Sequence, residues 1–172
     1  MTPEFSRPVR LDTIGEAPRV ISVEADAAER AALATRFGLP EIARLAGEFT
    51  VRRDAAGILV EGRVTGAVTQ ACSITGDPLP ATVDEATTLR FVEEGEEGEE
   101  IELDGDAIDV LPIEGGAIDL GEAAAETLAL SLDPFPRAPG AEEKLREAGV
   151  IPDDEARPYS ALAAGLGKLT KK

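Results

Sequence analysis

Apolar and polar residues alternate in five runs along the first ninety residues, which is the pattern of strands with one buried face. The third and fourth runs are joined by a glycine-containing turn at residues 55–57 and predict a hairpin. A shorter strand is predicted over residues 108–113, where Pro112 favours the edge of a sheet. The five runs lie at residues 4–11, 19–25, 48–54, 58–73 and 79–92.

The run at 58–73 is long enough that the strand is expected to curve. Its even-numbered positions are mostly apolar, so this side is predicted to face inward. Gly62 and Gly66 belong to the same side. Because glycine lacks a Cβ, these are the positions where a bend, or the close approach of another element, costs least.

Apolar residues at helical spacing follow a capping-box pattern formed by Asp26 and Glu29. The pattern predicts a helix over residues 27–37, and Gly38 suits a left-handed end. The segment 39–46 has a proline in its first turn, where the missing N–H removes no hydrogen bond, and predicts a second, short helical stretch.

A second capping-box pattern, Asp119 with Glu122, predicts a helix over residues 120–132. A proline-rich stretch ends it, because proline cannot continue a helix. One more helix is predicted over residues 141–149, and the rest of the carboxy-terminal part is polar.

These elements predict an α+β fold, with a curved, mostly antiparallel sheet or partly open barrel, two main packed helices and an extended carboxy-terminal arm. The length of the chain suits one hydrophobic core. We expect a single domain over residues 1–136, with an acidic loop at 93–106, and a polar arm over residues 137–172 that docks on the domain or binds a partner.

Negative charge is unevenly distributed along the chain. The 172 residues include 34 acids and 17 bases, a formal net charge of −17. Eleven acids lie between residues 84 and 106, where Arg90 is the single base. RNA is itself a polyanion that proteins bind mainly through lysine and arginine, so this surface as a whole repels it. Basic proteins are the expected partners.

The residue types that are missing exclude several chemistries. The chain has no histidine and one cysteine, which excludes imidazole catalysis, histidine-ligated zinc and cysteine-rich zinc sites. No spacing of carboxylates, lysines or the tyrosine indicates a catalytic pair, so we expect no enzymatic activity and no cofactor. No signal-peptide pattern and no apolar run near the roughly 18 residues of a membrane span are found, and we expect a cytoplasmic protein without membrane contact.

The single cysteine, Cys72, lies beside a turn signal. It continues the inward register of its strand, and a reduced cysteine behaves as a small apolar residue. The neighbouring sequence offers no helix terminus or basic residue to lower the pKa of the thiol. We interpret Cys72 as a packed residue beside a turn, with a reactive or metal-ligating thiol as the alternative.

Several short motifs stand in a characteristic order. They are Gln70-Ala71-Cys72 followed by Pro78-Leu79, an acidic mid-chain stretch, Ile118-Asp119-Leu120-Gly121 with Glu126 and Leu130, Pro134 and Pro136, and Arg157-Pro158-Tyr159 with Leu162-Ala163. In this order they resemble the YceD family, bacterial proteins named for large ribosomal RNA subunit accumulation. Members commonly have Cys-x-x-Cys at the turn, whereas Thr75 stands here in the second position. A zinc or redox role of that pair therefore does not carry over.

The resemblance implies a non-enzymatic factor that supports 23S ribosomal RNA accumulation and biogenesis of the large ribosomal subunit. Combined with the charge, it predicts that the chain binds basic ribosomal or assembly proteins and protects precursor 23S rRNA indirectly. The candidate partner-binding residues are Glu96, Glu97, Glu99, Glu100, Tyr159, Leu162 and Leu166, and the family turn motif is Cys72, Thr75 and Pro78. The leucines of the arm suit either docking on the domain or binding a partner.

A direct RNA-binding module is the alternative function. Thirteen of the seventeen bases are arginines, and a local arginine face can bind a phosphate chain despite the net charge. The candidate RNA-facing residues are Arg7, Arg10, Arg19, Arg52, Arg53 and Arg63. The opposing interpretation is that these arginines are scattered solubilising residues, and a shared surface would favour the RNA-binding alternative.

Residues 100–105 resemble the start of a calcium-binding loop, with acids at the first, third and fifth positions and glycine at the sixth. Leu111 occupies the twelfth position, where such a loop needs a bidentate glutamate. We therefore interpret the stretch as a solvated acidic loop rather than a calcium site.

Overall fold

A computed structural model of the chain describes residues 3–92, 109–113 and 115–150. The strands are β1 (Pro8–Arg10), β2 (Arg19–Glu24), β3 (Glu41–Asp54), β4 (Gly57–Ala71), β5 (Pro78–Val92), β6 (Asp109–Pro112) and β7 (Ala117–Asp119). The helices are α1 (Ala27–Phe37), α2 (Leu120–Leu130) and α3 (Ala141–Glu147), with a short 3-10 helix at Leu11–Thr13. None of the helices in these ranges has the length and apolar character to cross a membrane.

Five strands form a curved sheet in the order β2-β3-β4-β5-β6. Neighbouring strands are antiparallel except that β6 runs parallel to β5, and β2 and β6 are edges, so the sheet is not closed. A separate two-stranded ribbon pairs β1 with β7. Helix α1 packs on β3, and α2 crosses β3, β4 and β5. The predicted α+β fold is confirmed, including the edge position of the strand that contains Pro112.

Helix α1 begins and ends as the sequence predicts. The Asp26 carboxylate accepts hydrogen bonds from the N–H groups of Ala28 and Glu29, and the Glu29 carboxylate accepts from the N–H of Asp26. Gly38 closes the helix at a φ of 65°, in the left-handed region that glycine adopts without strain. The capping box is therefore complete on both sides.

The predicted helical stretch at 39–46 is wrong, because β3 already begins at Glu41. The pairing of β3 with β4 shifts register between Ile42 and Arg44, as a β-bulge does when it adds one residue to a strand. The bulge lets Ile42 and Leu45 both enter the core although they are three residues apart. The helical prediction rested on Pro40, which instead lies directly before the first residue of β3, a position where proline is also tolerated.

The glycines of β4 make room for packing, as the sequence predicts. A Cβ built on Gly66 would lie 2.5 Å from Cδ1 of Leu128, so the absence of a side chain lets α2 approach the sheet. Gly62 lies under the ring of Phe49, which is fully buried, and Gly47 lies under the other side of that ring. Small residues at these positions allow one large aromatic side chain to fill the centre of the core.

Candidate functional site

A groove of about 530 Å³ lies between α2 and the edge of the sheet formed by β5 and β6. Its floor includes the buried side chains of Leu89 and Ala123 and the half-buried Leu111. Two exposed apolar side chains also line it, Val110 with 49% and Leu130 with 82% of the residue surface accessible. Exposed apolar surface around a concavity is typical of a binding site. We call this feature the α2–β6 groove.

In the described part of the chain, the charged residues that line the α2–β6 groove are all acids: Glu85 on β5, Asp109 at the start of β6 and Glu126 on α2. Partial burial raises the pKa of Glu126 above its ordinary value, and the nearby Glu122 carboxylate adds to the rise, while Arg36 opposes it. Acids that surround an apolar floor favour a ligand that is itself apolar on one side and cationic on the other.

Glu85 is a groove residue that the alternation in β5 did not single out. It pairs with Val64 of β4 and stands between Val83 and Thr87 on the side of β5 that faces the helices. Apolar side chains occupy most of this register, so an acid there interrupts the alternation. That interruption is the signal in the sequence that could have identified the groove.

The turn after β4 is joined to a distant part of the chain through Cys72. The Cys72 side chain is buried, and its Sγ accepts hydrogen bonds from the N–H of Thr75 at 3.4 Å and the N–H of Ala138 at 3.3 Å. The N–H of Ser73 also donates to the carbonyl oxygen of Pro136. These contacts join the first residues of the predicted arm to the sheet. The division of the chain into a domain that ends at residue 136 and an arm stays a prediction.

Hydrogen bonding lowers the pKa of the Cys72 thiol from 9.0 to about 6, with the Thr75 side chain contributing most and the N–H of Ala138 next. The Thr75 hydroxyl has one proton and also lies 2.6 Å from Asp77 Oδ2, so it donates either to Cys72 or to Asp77. The N–H groups of Thr75 and Ala138 donate to Cys72 Sγ in both cases. Hydrogen bonds lower this pKa, and not the helix terminus or basic residue considered in the sequence analysis; one of the donors comes from a residue 66 positions away.

The lowered pKa of Cys72 predicts a pH dependence of stability. Because the folded thiol has the lower pKa, the free energy of unfolding should increase as the pH rises from about 6 to about 9, and this gain should be lost as the pH falls through 6. Urea unfolding across this range measures it. Cys72→Ala should remove the increase and Thr75→Val should move it to higher pH, whereas the same increase in Cys72→Ala would contradict the prediction.

The motif at residues 118–121 forms a joint between the amino-terminal segment and α2. The Asp119 carboxylate accepts hydrogen bonds from the Ser6 hydroxyl and from the N–H groups of Arg7, Gly121 and Glu122. A Cβ on Gly121 would lie 2.5 Å from the carbonyl oxygen of Phe5. The motif therefore fixes where α2 starts and, through α2, one wall of the groove.

The capping box predicted at this helix is only half formed. Asp119 caps the helix, but the Glu122 carboxylate binds the Arg36 guanidinium of α1 at 2.6 Å instead of turning back to the Asp119 N–H. Arg36 also contacts Glu4 at 3.1 Å. A tertiary ion pair thus takes the place of the local hydrogen bond, and it ties α1 and α2 together.

Most of the candidate RNA-facing arginines already have acidic or carbonyl partners. The pairs are Arg7–Glu29 at 2.7 Å, Arg10–Asp12 at 2.7 Å, Arg52–Asp54 at 3.8 Å and Arg63–Asp84, while Arg53 donates to the carbonyl oxygens of Leu11 and Ile14. Carboxylate neighbours reduce the positive potential that a phosphate chain requires. The role of these residues in RNA binding stays a prediction.

The six arginines also face different ways in the sheet. Arg52 and Arg63 lie on the face opposite the helices, where Glu48 pairs directly with Arg63 and Glu61 stands beside it along β4. Arg19, in contrast, pairs with the core residue Val51 and Arg53 with Ile58, while Arg7 and Arg10 lie at β1. Within the described ranges, these side chains do not form one continuous basic surface.

The predicted partner-binding residues lie outside the described residues. They are Glu96, Glu97, Glu99, Glu100, Tyr159, Leu162 and Leu166. The calcium-like stretch at 100–105 lies there as well. Pro78, the last member of the turn motif, is the first residue of β5, and it pairs with Ala71 of β4.

A family model described as "Large ribosomal RNA subunit accumulation protein YceD" matches residues 60–164, which is more than half of the chain. The matched range contains the turn at Cys72, the joint at Asp119 and all the residues that line the α2–β6 groove. No curated protein and no solved structure gives a significant match.

Proposed function

We propose that this chain, which belongs to the YceD family, acts in large ribosomal RNA subunit accumulation as a non-enzymatic factor that binds basic ribosomal or assembly proteins. Membership in the family implies the role in accumulation of the large-subunit RNA. The observation that supports the mode of action is the α2–β6 groove, which combines an apolar floor with three acids and, among the described residues of its lining, no base.

A protein partner suits this groove better than RNA does. A phosphate chain approaching Glu85, Asp109 and Glu126 meets like charges, whereas a lysine- or arginine-rich segment meets opposite ones. Apolar side chains of such a segment would cover Val110 and Leu130, whose exposure costs free energy in water. Protection of precursor 23S rRNA is then indirect, through the proteins that the chain brings to it in the cytoplasm.

The acidic segment at 93–106 adds to the same proposal. The segment lies between β5 and β6 in the sequence, and Asp109, at the start of β6, lines the groove. Long-range attraction by many carboxylates accelerates the encounter with a cationic protein, while the groove supplies the contacts that hold it. Glu96, Glu97, Glu99 and Glu100 remain candidate residues for this encounter.

Reversing charges at the groove should weaken binding of ribosomal proteins. Immobilised chain is incubated with purified, RNA-free large-subunit proteins at moderate salt. Glu85→Lys combined with Glu126→Lys should reduce the retained protein roughly tenfold, a change of about 1.4 kcal/mol. Glu16→Lys with Glu147→Lys is the matched control, because both residues are exposed, lie outside the groove and change the net charge equally.

Two further measurements distinguish the RNA-binding alternative. Tight binding of 23S precursor RNA by the purified chain at physiological salt, with no protein present, would overturn the protein-mediated mode. Loss of all partners after nuclease treatment of a cell extract would count against it as well. Equal loss of binding in the groove variant and the control variant would show that net charge alone, and not the groove, attracts the partner.

A further inference from the structure

We propose that the α2–β6 groove is occupied, in the free protein, by residues 159–172 of the same chain. The groove then holds its own carboxy-terminal segment until a basic partner displaces it. The regulatory consequence rests on the proposed function, but the docking itself does not.

The sequence of the segment complements the groove. Leucines at 162, 166 and 169 recur at intervals of four and three, so that a helix would carry them on one side. The segment also contains Lys168, Lys171 and Lys172 and no acid. An apolar stripe with adjacent cations is the ligand chemistry that an apolar floor beside three carboxylates selects.

The exposed surface of the groove supports an occupant. Val110 and Leu130 are two of the five large apolar residues exposed in the described part of the chain, and both line this groove. Glu126 is partly desolvated beside them. An apolar segment that carries cations would cover both apolar side chains and neutralise the carboxylates at once.

The connection is long enough to reach. Helix α3 lies at the turn where β5 begins, since Lys144 is 3.6 Å from Asp77 and Ala141 is buried. From the start of β5 to Glu85 is seven residues, about 23 Å at the rise of a strand. The eight residues 151–158, fully extended, span up to about 26 Å. A tethered segment within this distance has a high effective concentration at the groove, commonly millimolar.

Paramagnetic relaxation in the full-length chain tests the docking. A spin label is placed on Thr170→Cys in a Cys72→Ser background, whose fold is checked by circular dichroism, and the amide signals are recorded without any partner. The signals of Val110, Ala123 and Glu126 should be lost, and they should return at high salt because part of the attraction is ionic. No loss of signal at the groove would overturn the proposal.

A charge swap tests specificity. Glu85→Lys with Glu126→Lys should restore the groove signals, and adding Lys168→Glu, Lys171→Glu and Lys172→Glu should abolish them again. The control with Glu16→Lys and Glu147→Lys should leave the groove signals lost. If the swapped chain does not recover docking, or if the control also releases the segment, charge pairing at this groove is not what holds it.

A mixture distinguishes an internal segment from a second copy. Spin-labelled chain without ¹⁵N is mixed with ¹⁵N-labelled chain without the spin label, and the groove signals should remain intact. Their loss in the mixture would assign the segment to another molecule and overturn the proposal. Docking is measured with no ribosomal protein present, so its failure leaves the pull-down result standing, and failure of the pull-down leaves the docking standing.

Discussion

Replacing Phe49 with alanine should lower the free energy of unfolding by about 3–5 kcal/mol. The ring is fully buried between Gly47 and Gly62, two positions without side chains that could close the space left behind. The loss therefore combines transfer of a large aromatic side chain to water with a cavity that the neighbouring strands cannot fill. Urea unfolding followed by circular dichroism measures the change.

Phe135→Ala is the matched control, because this ring has the same chemistry but is 71% exposed. Its removal should change the free energy of unfolding by less than about 0.5 kcal/mol, as is usual for surface positions. Similar losses of stability in the two variants would contradict the placement of the Phe49 side chain at the centre of the core. The comparison also separates core packing from any role of Phe135 on the surface.

Replacing Asp119 with alanine should cost about 2–4 kcal/mol, the sum of a lost helix cap and partly buried donors left without partners. Four donors share this carboxylate, and two of them, on Ser6 and Arg7, belong to the amino-terminal segment. The variant should therefore release that segment as well as fray the start of α2. Urea unfolding gives the loss, and hydrogen exchange at the amide of Arg7 should accelerate.

Asp12→Ala serves as the comparison for Asp119, since the Asp12 carboxylate pairs with Arg10 at an exposed position. Surface ion pairs contribute about 0–1 kcal/mol, so this variant should remain close to the parent. Asp119→Asn should lose less than Asp119→Ala, because asparagine is also a good helix cap. Equal stability of Asp119→Ala and Asp12→Ala would mean that the four donors find other partners.

These two variants bear differently on function. Phe49 lies in the core and lines neither wall of the groove, whereas Asp119 fixes the start of the helix that carries Glu126 and Leu130. At a temperature where both variants remain folded, Asp119→Ala is expected to weaken partner binding more than Phe49→Ala. The comparison thus separates the effect of lower stability on partner binding from the effect of a displaced α2.

Much of the fold follows from local pattern. Alternation identified β2, β4 and β5, because a sheet with helices on one side buries every second residue. The capping box at Asp26 and Glu29 fixed the start of α1 with side chains three residues apart. The helix predicted at 39–46 is wrong because Pro40 suits the position before a strand as well as the first turn of a helix.

The candidate site was only partly accessible from sequence. The acidic character was evident from composition, but the groove unites Glu85 of β5, Asp109 of β6 and Glu126 of α2, which are separated along the chain. Nothing in the spacing of these three acids relates them. Their common surface depends on the parallel pairing of β6 with β5 and on the position of α2 over the sheet.

By itself, the sequence determined the α+β class, the strands with regular alternation, the first helix and the excess of carboxylates, because each depends on residues close together in the chain or on simple counting. The tertiary structure alone decided the N–H of Ala138 that lowers the pKa of Cys72, the bond of Glu122 to Arg36, and the acids around the groove. Each joins residues far apart in the chain, and only the packing of sheet and helices sets their distances.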